Sequence, residues 1–233
     1  MKVSDKSMLK VISSTLNIKK RDPFEIEISS DLRDKVQVFW NNFIQGKDGY
    51  WDGDLLSVTN YSEEDHTIEV GKAKFSWLIY AKSHPGIDVH SLFVAILFQT
   101  LDGYYVIIKN NHQQLNMIGG IVEDEDIVTG TFHPDICLRR ELKEELQLDL
   151  YAKEHVLTYQ MKYLKVPESK GNYGVLYTGV LNFTKEEFKN YFIQGKKNFD
   201  HEIIDIFLLT KEEVKKLKLN EDISYLYELV EEE

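Results

Sequence analysis

Short apolar runs alternate with polar, glycine-containing and acidic segments along most of the chain, which predicts a mixture of strands and helices. The predicted strands share β-branched or aromatic residues between turn residues, and they cover 55–59, 67–70, 75–80, 92–100, 104–109, 117–122, 175–183 and 203–209. The predicted helices begin at capping residues or have apolar residues three or four positions apart. They cover 30–45, a segment that begins at Pro134, a segment after Thr184, 210–213 and 224–230. Strands alternating with helices predict an α/β fold with a mixed sheet between helices.

The helix that opens at Pro134 has two chemically different sides. Its apolar stripe consists of Leu138, Leu142 and Leu146. A second side carries three carboxylates at i, i+3 and i+4, which are Glu141, Glu144 and Glu145. Like charges at this spacing repel, and hard oxygen ligands gathered in this way suit Mg²⁺ or Mn²⁺. From spacing alone, a metal site and a plain acidic surface both remain open.

Two glycines precede this helix, and the combination resembles the Nudix box. That pattern is Gly, five residues, Glu, seven residues, then Arg-Glu-apolar-x-Glu-Glu-x-Gly-apolar. The positions that match its helical half are Arg140, Glu141, Leu142, Glu144, Glu145 and Leu148. The positions that match its opening are Gly119, Gly120, Val122 and Glu123. The chain is therefore similar to Nudix hydrolases over about thirty residues.

The chain departs from the Nudix pattern at two points. Asp126 stands where the pattern has the loop glutamate, and thirteen residues separate it from Arg140. Gln147 stands where the pattern has a glycine, and the family's glycine at that helix end suggests a left-handed backbone. The role of Asp126 is left open by the sequence.

The resemblance implies a Nudix-type α/β/α sandwich over residues 89–233, preceded by an α+β extension over residues 1–88. The segment His84-Pro85-Gly86 marks the predicted boundary. Three tryptophans lie in the predicted extension, namely Trp40, Trp51 and Trp77. We expect them in core or interdomain packing, and an aromatic platform for a base is the alternative.

The resemblance also implies an activity, namely metal-dependent hydrolysis of a phosphoanhydride bond in a nucleoside diphosphate linked to another group. Its metal ligands would be Glu141, Glu144, Glu145 and the carbonyl of Gly120, with Mg²⁺ or Mn²⁺ as cofactor. Arg140 would hold one of the glutamates through two hydrogen bonds. A late acidic residue binds metal or acts as base in several Nudix enzymes, and Glu202 is similar to it by position. The catalytic prediction therefore comprises Arg140, Glu202 and the three helix glutamates.

Composition narrows the class of partner. The chain has 28 basic and 39 acidic residues, a net charge of −11, which argues against non-specific binding of nucleic acid. It has no run of eighteen apolar residues, which argues against a membrane partner, and its polar N-terminus lacks a signal-peptide core. A single cysteine, Cys137, excludes an internal disulfide and favours the cytoplasm.

Two other functions remain as alternatives to the hydrolase. One is a Nudix-like module that binds or senses a nucleotide without turnover. The other is transferase or isomerase chemistry, such as the isomerisation of isoprenoid diphosphates on the same fold. That isomerisation resembles a proton transfer that needs an active-site cysteine. Cys137 lies inside the box helix and is poorly placed for that task. The expected partner is a small nucleotide, while its identity and a homodimeric state are left open.

Overall fold

The structure is a computed structural model that describes residues 7–12, 16–47, 50–84, 86–128, 131–167, 171–199, 202–219 and 223–232. Its large mixed sheet has six strands in one path, which are β1 (Ser7–Val11), β5 (Leu92–Gln99), β6 (Tyr105–Asn110), β11 (Val156–Pro167), β12 (Tyr173–Leu181) and β13 (Ile203–Leu209). They lie in the order β1-β11-β12-β5-β6-β13. Only the β12–β5 pairing along this path is parallel among the described strands.

Two short strands extend the sheet beside the site. Strand β7 (Leu115–Asn116) pairs with β6, and β8 (Ile118–Ile121) pairs with β5 in antiparallel register. The predicted turn at Asp102-Gly103 joins β5 to β6, with Gly103 at φ +83°. The glycine pair of the box therefore lies in a strand next to the centre of the sheet.

Helices cover both faces of this sheet, as predicted. One face packs against α3 (Pro134–Leu146) and α4 (Lys185–Gly195), and the other against α5 (Lys211–Val214) and α6 (Leu226–Glu232). Alternate residues of β5 show the two layers: Val94 and Ile96 belong to the first core, and Ala95 and Leu97 belong to the second. The α/β class with a mixed sheet is thus confirmed.

The N-terminal part forms a second, three-stranded sheet with helices. Its elements are β2 (Asn17–Glu25), α1 (Ser30–Phe43), β3 (Asp54–Ser62), β4 (Thr67–Lys74) and α2 (Phe75–Ala81). The strand order is β2-β4-β3. Its buried residues Leu56 and Ile68 share one core cluster with Val94 and Leu142. The predicted boundary between residues 88 and 89 remains a prediction. Strand β1 lies before this boundary but pairs with β11 of the large sheet, and the shared core cluster contains residues from both sides of it.

Several local predictions differ from the structure. Segment 75–80, predicted as a strand, is the helix α2, and Asp52 Oδ1 accepts a hydrogen bond of 2.7 Å from the amide of Ser76 in its first turn. A short apolar run fits either a buried strand or a buried helix, so its periodicity did not decide the matter. The first long helix is capped by Ser29 rather than by Ser30. The predicted capping of the helix after Thr184 is confirmed as a Thr184–Glu187 capping box, and the predicted short helix at 210–213 begins with a second box, Thr210–Glu213. Among the described residues, no helix is long and apolar enough to cross a membrane.

Candidate active site

The box helix α3 is fixed at both ends by its sequence. Pro134 occupies the first helical position, where its missing N–H has no intrahelical partner in any case. Gln147 ends the helix in the left-handed region at φ 56° and ψ 24°, as the resemblance suggested. The next amide, that of Leu148, donates to the carbonyl of Leu142 at 3.1 Å. This hydrogen bond closes the helix end in the manner that normally uses glycine.

The two predicted sides of α3 are both present. Leu138, Leu142 and Leu146 are fully buried, which stabilises the fold by roughly 1.5–3 kcal/mol for each side chain. On the other side, Glu144 is exposed, whereas Glu141 and Glu145 are only 9% and 5% exposed. Two of the three carboxylates are therefore enclosed by other parts of the chain, while Glu144 faces solvent.

The glycine pair lies against this carboxylate side. Gly119 has φ +147°, and a Cβ there would lie 2.1 Å from the carbonyl oxygen of Val94 in β5. A Cβ at Gly120 would lie 2.2 Å from Oε1 of Glu141. Gly119 requires glycine because of its positive φ and the neighbouring strand backbone, whereas a side chain at Gly120 would displace the carboxyl group of Glu141. The backbone at Gly120 thus approaches the carboxyl group of Glu141 directly.

Arg140 is held mainly by Asp126. Its Nε and Nη2 donate to the two carboxylate oxygens of Asp126 at 3.2 and 3.0 Å, and its Nη1 donates to Glu141 Oε1 at 2.8 Å. The expected two-fold contact with a glutamate is therefore made with the buried loop aspartate, while Glu141 accepts one hydrogen bond. Nη1 also approaches Glu144 Oε2 at 3.4 Å. The arginine consequently fixes the position of Glu141 relative to the loop.

The additional residues of the box loop do not separate Asp126 from Arg140. Asp124–Asp126 forms a 3-10 turn, in which Asp126 accepts a hydrogen bond from the amide of Glu123 at 2.9 Å. Strands β9 (Ile127–Val128) and β10 (Thr131–Phe132) then pair in antiparallel fashion. The insertion thus forms a hairpin that returns the chain to α3, and residues 129–130 between its strands lie outside the described residues.

Electrostatics distinguish Glu141 from an ordinary surface carboxyl group. Burial raises the pKa of Glu141 to about 7. The negative charges of Glu144 and Glu202 also raise this pKa, whereas the positive charge of Arg140 lowers it. A carboxyl group with this pKa is partly protonated at neutral pH in the absence of a cation. Burial also raises the pKa of the Cys137 thiol, which therefore stays protonated and unreactive. That finding argues against the cysteine-dependent alternative.

Carboxylates from four parts of the chain line one cavity of about 440 Å³. They are Asp54 from β3, Glu123 from the loop, Glu141, Glu144 and Glu145 from α3, and Glu202 from the segment before β13. The carbonyl of Glu202 accepts a hydrogen bond from the amide of Asn111 at 2.8 Å, which ties this segment to the end of β6. All the predicted catalytic side chains thus lie around the same cavity, while Asp200 and His201 lie outside the described residues.

The donor set of the cavity suits a hard divalent cation. Within the described part of the chain, no group of three or more His, Cys, Asp or Glu side chains is arranged to hold a metal ion by itself. Mg²⁺ usually takes one or two carboxylates and completes its shell with water and substrate phosphate. Glu141, Glu144, Glu145 and the backbone at Gly120 are therefore residues that could hold such ions, each through a partial set of oxygens.

An aromatic part of the cavity wall joins residues that the sequence does not group together. It contains Tyr50, Trp51 and Phe75 from the N-terminal part and His112 from the loop after β6. The sequence favours packing for Trp51, with a base platform as the alternative, and predicts a strand at Phe75. No local pattern marks them, because they meet only when the N-terminal sheet packs beside α3. The exposed Trp51 next to the turn residues Asp52-Gly53 was the one available signal.

No family model and no curated protein matches the chain. Solved structures that are similar to it include DR0079 of Deinococcus radiodurans, with 16% identity, a TM-score of 0.45, and coverage of 77% of this chain and 98% of that one. The NUDIX domain of Shewanella oneidensis NrtR, complexed with ADP ribose, has 14% identity, a TM-score of 0.40, and coverage of 66% and 96%. A C. elegans Ap4A hydrolase has 13% identity, a TM-score of 0.42, and coverage of 60% and 93%. At these values the similarity does not establish an activity for this chain.

Proposed function

We propose that this protein is a Nudix-type hydrolase that uses Mg²⁺ or Mn²⁺ to cleave a phosphoanhydride bond in a nucleoside diphosphate linked to another group. The observation that carries the proposal is the gathering of Glu141, Glu144, Glu145 and Glu202 around one cavity, beside an arginine fixed by Asp126. A solvated acidic helix would not need its arginine paired with a buried aspartate, nor a glycine backbone packed against its first glutamate.

Charge explains why carboxylates suit an anionic substrate. A diphosphate would be repelled by the six acidic side chains that line the cavity, and bound divalent cations reverse this local field. When bound, such ions neutralise phosphate oxygens and lower the pKa of a coordinated water. Among the described residues lining the cavity, Arg140 carries the fixed positive charge, and its guanidinium is engaged by Asp126 and Glu141. The chain itself therefore offers little direct neutralisation of a substrate phosphate.

The protein's own residues have distinct tasks in this proposal. Glu144 and Glu145 supply oxygen ligands from the middle of α3. Arg140 positions Glu141, because its Nη1 donates to Oε1 while its other nitrogens are held by Asp126. Glu202 reaches the cavity from outside the box, and it is the candidate that orients or deprotonates the attacking water. The proton of that water would pass to a Glu202 carboxylate oxygen.

A panel of nucleoside diphosphate derivatives tests the proposal directly. Nucleoside diphosphate sugars, dinucleoside polyphosphates, nucleoside triphosphates and coenzyme derivatives are each incubated with Mg²⁺ or with EDTA, and products are separated by chromatography. The proposal expects metal-dependent release of a nucleoside monophosphate, or of pyrophosphate from a triphosphate, for at least one class. Nucleotide binding with no turnover across the panel would instead support the non-catalytic binding module.

A further inference from the structure

Trp51 differs from the other two tryptophans in its surroundings. It is 71% exposed, whereas Trp40 is buried and Trp77 is half-buried. A large aromatic side chain usually buries most of its surface, so an indole left in solvent at a cavity wall has a free face that a ligand in the cavity can contact. Trp51 lies on the same cavity as the box carboxylates.

The loop that carries Trp51 is anchored. A Cβ at Gly53 would lie 2.2 Å from the indole ring, so the six-membered ring lies directly against this glycine. The neighbouring Asp52 accepts a hydrogen bond from the amide of Ser76 at 2.7 Å, which joins the loop to the start of α2. The indole therefore has a supported position although most of its surface faces solvent.

The surrounding wall is aromatic as well. Tyr50 packs edge-on against Phe43 of α1, with ring centroids 5.3 Å apart, and its ring centroid lies 6.3 Å from that of His112. Phe75 at the start of α2 packs edge-on against Trp40 at 6.0 Å. These contacts hold flat, apolar side chains in the lining of the cavity that the helix carboxylates also line.

We infer that Trp51 is a stacking platform for the planar base of a nucleotide whose phosphates lie at the carboxylate wall. The inference rests on the proposed function for the placement of the phosphates. Stacking on an aromatic ring tolerates different bases, because every base has a π face. The N-terminal part thereby contributes the base-binding surface, while the box contributes the phosphate chemistry.

Product-like ligands test this without requiring turnover. The affinities of AMP and ribose 5-phosphate are measured by calorimetry in Mg²⁺ for the full-length protein, for Trp51→Ala and for Trp51→Phe. Quenching of tryptophan fluorescence by AMP is followed in parallel. Leu101→Ala, which shortens an exposed apolar side chain outside the cavity lining, is the matched control.

The inference predicts that Trp51→Ala weakens AMP binding about tenfold or more and abolishes the quenching, since one stacked base contributes this order of affinity. Trp51→Phe retains most of the AMP affinity but not the quenching, and ribose 5-phosphate binds equally to all variants. Equal AMP affinity in wild type and Trp51→Ala, or no AMP binding by wild type, overturns the inference. Failure of the proposed function shows separately, as absence of turnover by wild type in the substrate panel.

Discussion

Asp126 and Arg140 lie fourteen positions apart in the chain and are joined by two parallel hydrogen bonds of 3.2 and 3.0 Å. Asp126 is 2% exposed, so this pair is shielded from water on the aspartate side. Arg140 uses its remaining donors on Glu141 and on the carbonyl of Ile121. The pair therefore links the acidic loop, the glycine strand and the box helix at one point.

Replacing Asp126 by asparagine should destabilise the protein and reduce its activity. Removing one partner of a buried ion pair leaves the other charge uncompensated, which costs up to about 3–5 kcal/mol, and here less because Glu141 also contacts Arg140. Thermal unfolding should show a lower Tm for Asp126→Asn than for Glu125→Gln, an exposed neighbour in the same turn. Equal Tm values for the two variants would show that the pair does not hold the loop.

Gln147→Gly should leave the stability unchanged or raise it. Gln147 has φ 56°, a conformation that costs a residue with a side chain roughly 1 kcal/mol relative to glycine. A gain of that size would raise Tm by about 2–4 °C in a chain of this length. Gln147→Ala is the control, since alanine lacks glycine's freedom at positive φ. A clear drop in Tm for Gln147→Gly would mean that the exposed glutamine side chain makes a stabilising contact.

The metal-free protein should lose stability between about pH 4.5 and 7 on account of Glu141. Burial raises the pKa of its carboxyl group to about 7 from 4.5, so the protonated form is favoured in the folded state. A raised folded pKa gives stability that is full below the unfolded value and is lost as pH rises through the folded value. Tm is measured from pH 4.5 to 8 in EDTA for wild type and for Glu141→Gln. The difference between the two curves should depend on pH in this window, and parallel curves would contradict the shifted pKa.

Mg²⁺ should act against this loss, because a cation binds the deprotonated carboxylate. Metal binding should therefore release protons below about pH 7 and strengthen as pH rises through that value. Calorimetry in two buffers of different ionisation enthalpy measures the released protons. No proton release at pH 6 would place the cation away from Glu141.

Glu202→Gln tests the assignment of the base. A general base contributes about 10²–10⁴-fold to the rate, so kcat should fall by that factor with a modest change in KM. Glu212→Gln, an exposed acid in α5, is the matched control. A near-normal kcat for Glu202→Gln across pH would move the role to Glu123, which also lines the cavity. Asp126 is then a poor candidate, because both its oxygens are engaged by Arg140.

The sequence predicted those parts of the site that depend on local spacing. The box helix, its buried leucines and the left-handed Gln147 all follow from positions within about thirty residues. Glu202 was found by its place before a strand. These features are encoded by short-range patterns that packing does not override.

The sequence did not predict features set by long-range pairing. Strand β11 was missed although residues 157–163 alternate apolar and polar side chains, the pattern of a half-buried strand. It pairs with β1 on one side and β12 on the other. The aromatic wall was missed because Tyr50, Trp51 and Phe75 reach the cavity only through packing of the N-terminal sheet beside α3. Tertiary contacts of this kind leave no periodicity to detect.

The central claim is that the glutamates of α3 hold the ions that hydrolysis requires. The most direct measurement is Mn²⁺ affinity and turnover, side by side, for wild type, Glu144→Gln, Glu145→Gln and the exposed control Glu154→Gln. The account predicts weaker Mn²⁺ binding and strongly reduced turnover in the two helix variants, with a folded structure by circular dichroism and no change in the control. Full turnover by both helix variants, or by protein in EDTA, would contradict it.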